Sequence, residues 1–149
     1  MALTIGTTAP DFTLPSTSDS PLTLSDELKD KACILYFYPK DFTPGCNVEA
    51  CEFRDHFEAF KDLDIPVYGI SKDSITTHLK FQKKYQLPFE LLTDEDGSVS
   101  KLYDALIPVI NLPRRVTYLL DDKHVIRAVH KEQFGARNHI KAMLKEIGH

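Results

Sequence analysis

The chain has 149 residues, 42% hydrophobic and 27% charged, with a formal net charge of −4. That length suits a single domain able to bury about 70% of its unfolded surface without a disulfide or metal staple. Lysines and arginines are scattered rather than clustered, which argues against nucleic acid as a partner. No apolar run nears the ~20 residues that span a bilayer, and the first ten residues lack the basic-then-apolar pattern of a secretory signal. Three cysteines are few and odd in number, unlike a disulfide scaffold. A reducing, cytoplasmic setting is expected, where paired thiols are chemical rather than structural.

Short strands are expected over 11–14 and 22–24, joined by a turn. The apolar run 33–38 reads as a buried strand, followed by a helix that begins near Thr43 and keeps helical spacing over 48–63. Residues 65–71 read as a second apolar strand. Asp73 and Ser74 are N-cap candidates for a helix reaching about Tyr85. Pro88 interrupts, 89–93 is a short strand, and Asp94-Glu95-Asp96-Gly97 is turn material. A short helix is expected over 98–106, then a loop bracketed by Pro108 and Pro113. Strands 116–120 and 125–130 form a hairpin around residues 121–124. Ile140, Met143, Leu144 and Ile147 mark an amphipathic closing helix over 136–147. Strand–helix–strand–helix–strand, then a hairpin and a helix, is the order of an α/β thioredoxin-like fold. It predicts a central mixed β-sheet flanked by helices, in one domain over 1–149.

The most informative stretch is 39–51, Pro-Lys-Asp-Phe-Thr-Pro-Gly-Cys-Asn-Val-Glu-Ala-Cys. Cys46 falls where the strand hands over to the helix. Free backbone N–H groups and the positive end of the helix dipole favour an anion there, and the thiolate is the reactive form of cysteine. Thr-Pro-Gly before it is turn material, so Cys46 is expected near the surface. Cys33, set among Ala32, Ile34 and Leu35, reads instead as core.

Ionisation alone does little. Lowering a thiol pKa from ~8.5 to ~6 raises the thiolate fraction at neutral pH about 30-fold. Intrinsic nucleophilicity falls about 13-fold over the same change, for a Brønsted coefficient near ~0.45. The net gain is about twofold. The site must therefore also orient the electrophile and stabilise charge on the leaving oxygen. The N–H groups around Gly45 and Cys46, the Thr43 hydroxyl and a nearby cation are the candidate donors.

Cys51 lies five residues beyond Cys46. Five residues of α-helix separate Cα atoms by about 8.7 Å with a turn of about 140°, whereas a disulfide tolerates at most ~7 Å. If the two thiols react, the first turn or two of the helix must unwind.

The Pro39-Lys40-Asp41-Phe42-Thr43-Pro44-Gly45-Cys46 run resembles the Pro-x-x-x-Thr-x-x-Cys signature of peroxiredoxins. With Tyr38 before it, Glu49-Ala50-Cys51 and Phe53-Arg54-Asp55 after it, it is similar to the bacterioferritin-comigratory-protein subgroup, also called PrxQ. Ala9-Pro10-Asp11-Phe12 and Arg115-Val116-Thr117-Tyr118-Leu119-Leu120-Asp121 match the family's opening and its late strand. The resemblance implies a thiol-dependent peroxidase for hydrogen peroxide and organic hydroperoxides. Cys46 would be the peroxidatic cysteine, passing through a sulfenic acid to a disulfide with the resolving Cys51. Thr43 would hydrogen-bond the peroxide, Pro39 would shield the pocket, and Arg115 would support the thiolate. Arg114 is adjacent, but strand alternation lets only one of the two face Cys46, and the family match selects Arg115. Thioredoxin or a similar dithiol would recycle the enzyme, which would be a monomer or weak homodimer. Asn47, where the subgroup usually has Thr, and Phe42, where a small or acidic residue is common, depart from the pattern without removing a catalytic group.

No cofactor or metal is expected, because the substrate is the oxidant and thiols supply the electrons. Cys46, Cys51 and His56, five apart on one helix, fan around it rather than converge on an ion. A protein thiol–disulfide oxidoreductase would be expected to carry Cys-x-x-Cys, which is absent. A redox sensor whose cysteines switch a surface is the reading from another class; multiple turnovers with peroxide distinguish the enzyme from it.

Overall fold

The computed structural model describes residues 2–130. The closing helix expected over 136–147 lies outside the described residues. The chain opens with an antiparallel ribbon of β1 (Thr13–Leu14) and β2 (Leu22–Thr23), followed by α1 (Leu24–Glu27). Next come β3 (Cys33–Phe37), α2 (Pro44–Asp55), α3 (Phe57–Asp62), β4 (Val67–Ser71) and α4 (Ile75–Tyr85). β5 (Glu90–Thr93) and α5 (Ser98–Leu102) precede a ribbon of β6 (Leu106–Ile107) and β7 (Leu112–Pro113). The hairpin is β8 (Val116–Leu120) and β9 (Ile126–His130).

Five strands make the central sheet in the order β5-β4-β3-β8-β9. β3, β4 and β5 run parallel; β8 pairs antiparallel with both β3 and β9. The sheet is mixed, as the element order predicted. Every residue of β3 and β8 is buried, because layers cover both faces. Alternation sorts β3 between them. Cys33, Leu35 and Phe37 join Tyr103, Tyr118 and Leu120 in one core cluster. Ile34 and Tyr36 join Phe53 of α2, Phe60 of α3 and Phe81 of α4 in the other. Gly69 of β4 stands opposite Tyr36, and a Cβ there would lie 2.7 Å from the Tyr36 ring, so no other residue fits.

Two elements differ from expectation. The helix expected to run on to Leu63 lapses at His56, whose backbone N–H still makes the helical bond to Glu52 O at 3.1 Å while its ring Nδ1 crowds the same carbonyl at 2.9 Å. Such side-chain bonds compete with the helical ladder. The helix expected over 98–106 stops at Leu102. Asp104 turns left-handed at φ 52, and Ala105 N–H returns to Ser100 O at 2.7 Å, closing a Schellman end. The chain then enters the β6–β7 ribbon instead of a plain loop.

Candidate active site

The parallel strands β3, β4 and β5 all end on one side of the sheet, and the start of β8 lies there too, because Phe37 pairs with Val116. Substrate sites of open α/β sheets characteristically form outside the carboxyl ends of the strands. Residues 38–43 cross this end from β3 to α2. Thr43 is the N-cap, with extended backbone (φ −95, ψ 150), and Pro44 takes the first helical position, where its missing N–H costs nothing. The Thr43 side chain does not cap the helix; Oγ1 donates to Lys40 O at 2.9 Å. The hydroxyl proton is thus engaged, leaving the oxygen free to accept. Asn47 N–H makes the first helical bond, to Thr43 O at 2.8 Å. Cys46 is the third residue of the helix. By helix geometry the N–H groups of Gly45 and Cys46 have no carbonyl one turn earlier to receive them.

Cys51 lies on the same unbroken helix, partly buried, as a free thiol. It borders a shallow depression of about 290 Å³ lined also by Asn47, Val48, Glu52 and Asp55. Burial pushes its pKa up; Arg54 pulls the other way, and Asp55 and Glu52 add to the rise. Cys33 is fully buried in β3, and burial pushes its thiol up to about 12. It is the core residue its neighbours predicted.

Pro39 is half-buried at the start of the crossing loop. Arg115 immediately precedes β8 at the same end of the sheet and is buried, 7% exposed. Arg114 is half-buried, and its backbone N–H donates to Ala105 O at 2.6 Å. Pro39, Thr43, the start of α2 and Arg115 are therefore gathered at one sheet end from segments more than 70 residues apart.

Sequence reading missed a second set of groups beneath the same loop. Asp41 is buried, 2% exposed. Its Oδ1 accepts from the Tyr38 hydroxyl at 2.5 Å, and its Oδ2 lies 2.6 Å from His78 Nδ1. His78 Nε2 faces Leu92 O at 3.0 Å. A carbonyl only accepts, so Nε2 carries a hydrogen, and Nδ1 and Asp41 share one proton. Asp41 N–H donates to Asp73 Oδ2 at 2.9 Å, which also accepts from Ser71 Oγ at 2.5 Å. Ligand-type atoms of Asp41, Asp73 and His78 lie within 4.8 Å of one another, and they are engaged with each other and with these neighbours. The signal in the sequence was slight: His78 sits three residues before Phe81 on the buried face of α4, a polar group at a core position. Phe42 has φ 66, and its ring lies against Phe81 and Tyr85 of α4, centroids 5.1 and 6.4 Å away. Its ring is thus pinned to that helix.

The model of the AhpC/TSA family matches residues 5–129. The chain belongs to this family of peroxiredoxins. It is 44% identical over 144 residues to chloroplastic peroxiredoxin Q of Sedum lineare, covering 96% of this chain and 77% of that protein. It is 44% identical over 135 residues to the putative peroxiredoxin bcp of Coxiella burnetii, covering 87% and 89%. Among solved structures it resembles Mycobacterium tuberculosis peroxidoxin BcpB, with a TM-score of 0.89, 31% identity, and 97% and 96% of the two chains covered. A cysteine-to-serine mutant of Xylella fastidiosa PrxQ aligns at 0.88 and 28% identity, covering 99% and 97%. The peroxiredoxin fold is thus the thioredoxin-like one expected, and the enzyme is a thiol-dependent peroxidase acting on peroxide with a thioredoxin-type reductant. No helix among the described residues is long and apolar enough to cross a membrane.

Proposed function

We propose that Cys46 is the peroxidatic cysteine and Cys51 its resolving partner. The Cys46 thiolate attacks the terminal oxygen of a hydroperoxide. The O–O bond breaks, and the leaving alkoxide or hydroxide takes a proton to depart as alcohol or water. Cys46 is left as sulfenic acid. The Cys51 thiol condenses with it, releasing water and forming the disulfide. A dithiol protein then exchanges, becoming oxidised as both cysteines are reduced.

One observation carries the assignment: Cys46 occupies the first turn of α2, directly behind the Thr43 N-cap. Dipole and orphan N–H groups favour the anion there. Thr43 Oγ1, its own proton donated to Lys40 O, accepts the hydroperoxide proton and aligns the O–O bond. Arg115 supports the thiolate and the charge developing on the leaving oxygen, and Pro39 shields the pocket. The raised pKa of Cys51 suits a thiol that waits for a sulfenic acid rather than one that attacks peroxide first.

In the intact helix the two cysteines are about 8.7 Å apart at Cα, beyond the reach of a disulfide. Resolution therefore requires local unwinding of α2. The chain works as one domain in a reducing compartment such as the cytoplasm, as a monomer or weak homodimer. Its scattered basic residues support neither a nucleic-acid nor a membrane partner.

Cys46→Ser should abolish turnover, because serine supplies no comparable anion at neutral pH. Cys51→Ser should undergo one oxidation and hold a sulfenic acid that a dimedone-type reagent traps. Turnover by Cys46→Ser, or absence of the trapped adduct in Cys51→Ser, overturns the assignment. Many turnovers per wild-type molecule exclude a stoichiometric sensor.

A further inference from the structure

We propose that Tyr38, Asp41 and His78 form a positioning device that holds the 38–43 loop in its peroxide-attacking conformer and so governs how often α2 opens for resolution. The proposal rests on the reading of Cys46 and Cys51 above. It extends the site to three buried groups that act through the loop backbone.

The geometry points this way in three steps. First, the anchors are long-range. Asp41 is fixed to His78 and Asp73, 37 and 32 residues away, and to Tyr38 at the end of β3. Beyond Tyr38, whose N–H extends the β3–β4 ladder to Ile70 O at 3.1 Å, the side-chain network supplies the loop's long-range anchors. Second, the accounting closes. Tyr38 gives its proton to Asp41 Oδ1, one proton bridges Oδ2 and His78 Nδ1, and Nε2–H goes to Leu92 O. Burial, then the neighbouring Tyr36 and Asp41, push the Tyr38 phenol well above its ordinary range, so it stays a donor. A satisfied buried polar network is rigid and specifies one arrangement, while contributing little net stability over an apolar replacement. Third, the anchor lies where it matters. Asp41 is two residues before the Thr43 N-cap and five before Cys46. Phe42, between them, adopts a left-handed backbone that disfavours bulky residues. Such conformations persist only where surrounding contacts over-determine them; here the Asp41 network holds one side and Phe81 with Tyr85 the other. Releasing Asp41 therefore frees the N-terminal boundary of α2, the turn that must unwind.

Three isosteric variants test this: Tyr38→Phe, Asp41→Asn, and His78→Gln, which keeps a donor for Leu92 O but loses the Asp41 contact. Rapid-mixing measurements would separate the rate of Cys46 oxidation by hydrogen peroxide from the rate of disulfide closure. Mass spectrometry would give the fraction over-oxidised at high peroxide. Oxidation should slow about tenfold or more, closure should quicken several-fold, and over-oxidation should fall. Ile126→Ala, a cavity variant in β9 two strands from β3, controls for stability loss. At comparable Tm loss it should move none of the three readouts. The proposal is overturned if Ile126→Ala reproduces the pattern, or if oxidation and closure change in the same direction. Should Asp41→Asn fail to fold, Tyr38→Phe alone decides between these outcomes. Failure of the underlying cysteine assignment shows separately, as a wild-type protein in which Cys46 and Cys51 never join.

Discussion

Two aspartates are buried at the same end of the sheet, each in a connection from a parallel strand to a helix. Asp94, after β5, spends its carboxylate within six residues: Oδ1 accepts from Val99 N–H at 3.1 Å, and Oδ2 from Ser100 N–H and Oγ, both at 2.7 Å. Gly97, left-handed at φ 76, makes the tight turn possible. Asp41, after β3, finds partners 32 and 37 residues away, and the left-handed residue beside it is a phenylalanine. The first connection closes on itself. The second takes its shape from β4 and α4. A loop shaped by other elements can be released by them, and Cys46, proposed above as the peroxidatic residue, follows it in the first turn of α2.

Asp94→Ala should break the local connection most heavily. It strands three buried donors and removes the α5 cap, costing about 3 kcal/mol by urea denaturation. The peroxide oxidation rate of the protein that remains folded should stay close to wild type. Arg115→Ala extends the comparison to the third segment at this sheet end. Oxidation of Cys46 should slow about a hundredfold, whereas Arg114→Ala should change it by less than about threefold; equal effects would contradict the strand-face assignment. Gly69→Ala drives a methyl into the Tyr36 ring and Leu91, between the two connections. It should cost about 1–3 kcal/mol without altering the ratio of oxidation to disulfide closure.

The smallest effect belongs to a third aspartate, Asp121, whose partners are local like those of Asp94. Partial burial raises its pKa, but the N–H groups of Val125 and Lys123 and the Arg127 guanidinium outweigh this and lower it. Its folded-state pKa lies below the unfolded value, so its stabilisation is present at neutral pH and lost as pH falls through the acidic range. Asp121→Asn should cost less than about 1 kcal/mol at pH 7, and the difference from wild type should vanish in strong acid.

The same contrast explains what could be read from the chain. Ser74, which accepts from Thr77 N–H at 3.2 Å, the 94–97 turn and the 116–130 hairpin all rest on neighbours in sequence, and each was legible. So was the start of α2, from Thr-Pro-Gly. The alternation that sent Cys33 into the core was equally local. Asp41 is visible in the sequence only as part of a motif, because its role depends on His78, which no local pattern connects to it. The lapse at His56 and the Schellman end after Leu102 also escaped, since neither His56 nor Asp104 is an ordinary helix breaker. Phe42 stood out as a departure from the family pattern, but its packing on α4 was not legible, because the aromatic face that holds it forms only in the folded protein.

The most direct measurement is peptide mapping of the wild-type protein after one equivalent of hydrogen peroxide. The account predicts loss of two hydrogens from the intact mass, a single cross-link joining the peptides that carry Cys46 and Cys51, and Cys33 still reactive to alkylation after unfolding. A cross-link through Cys33, or persistent sulfenic acid at Cys46 with Cys51 untouched, would contradict it.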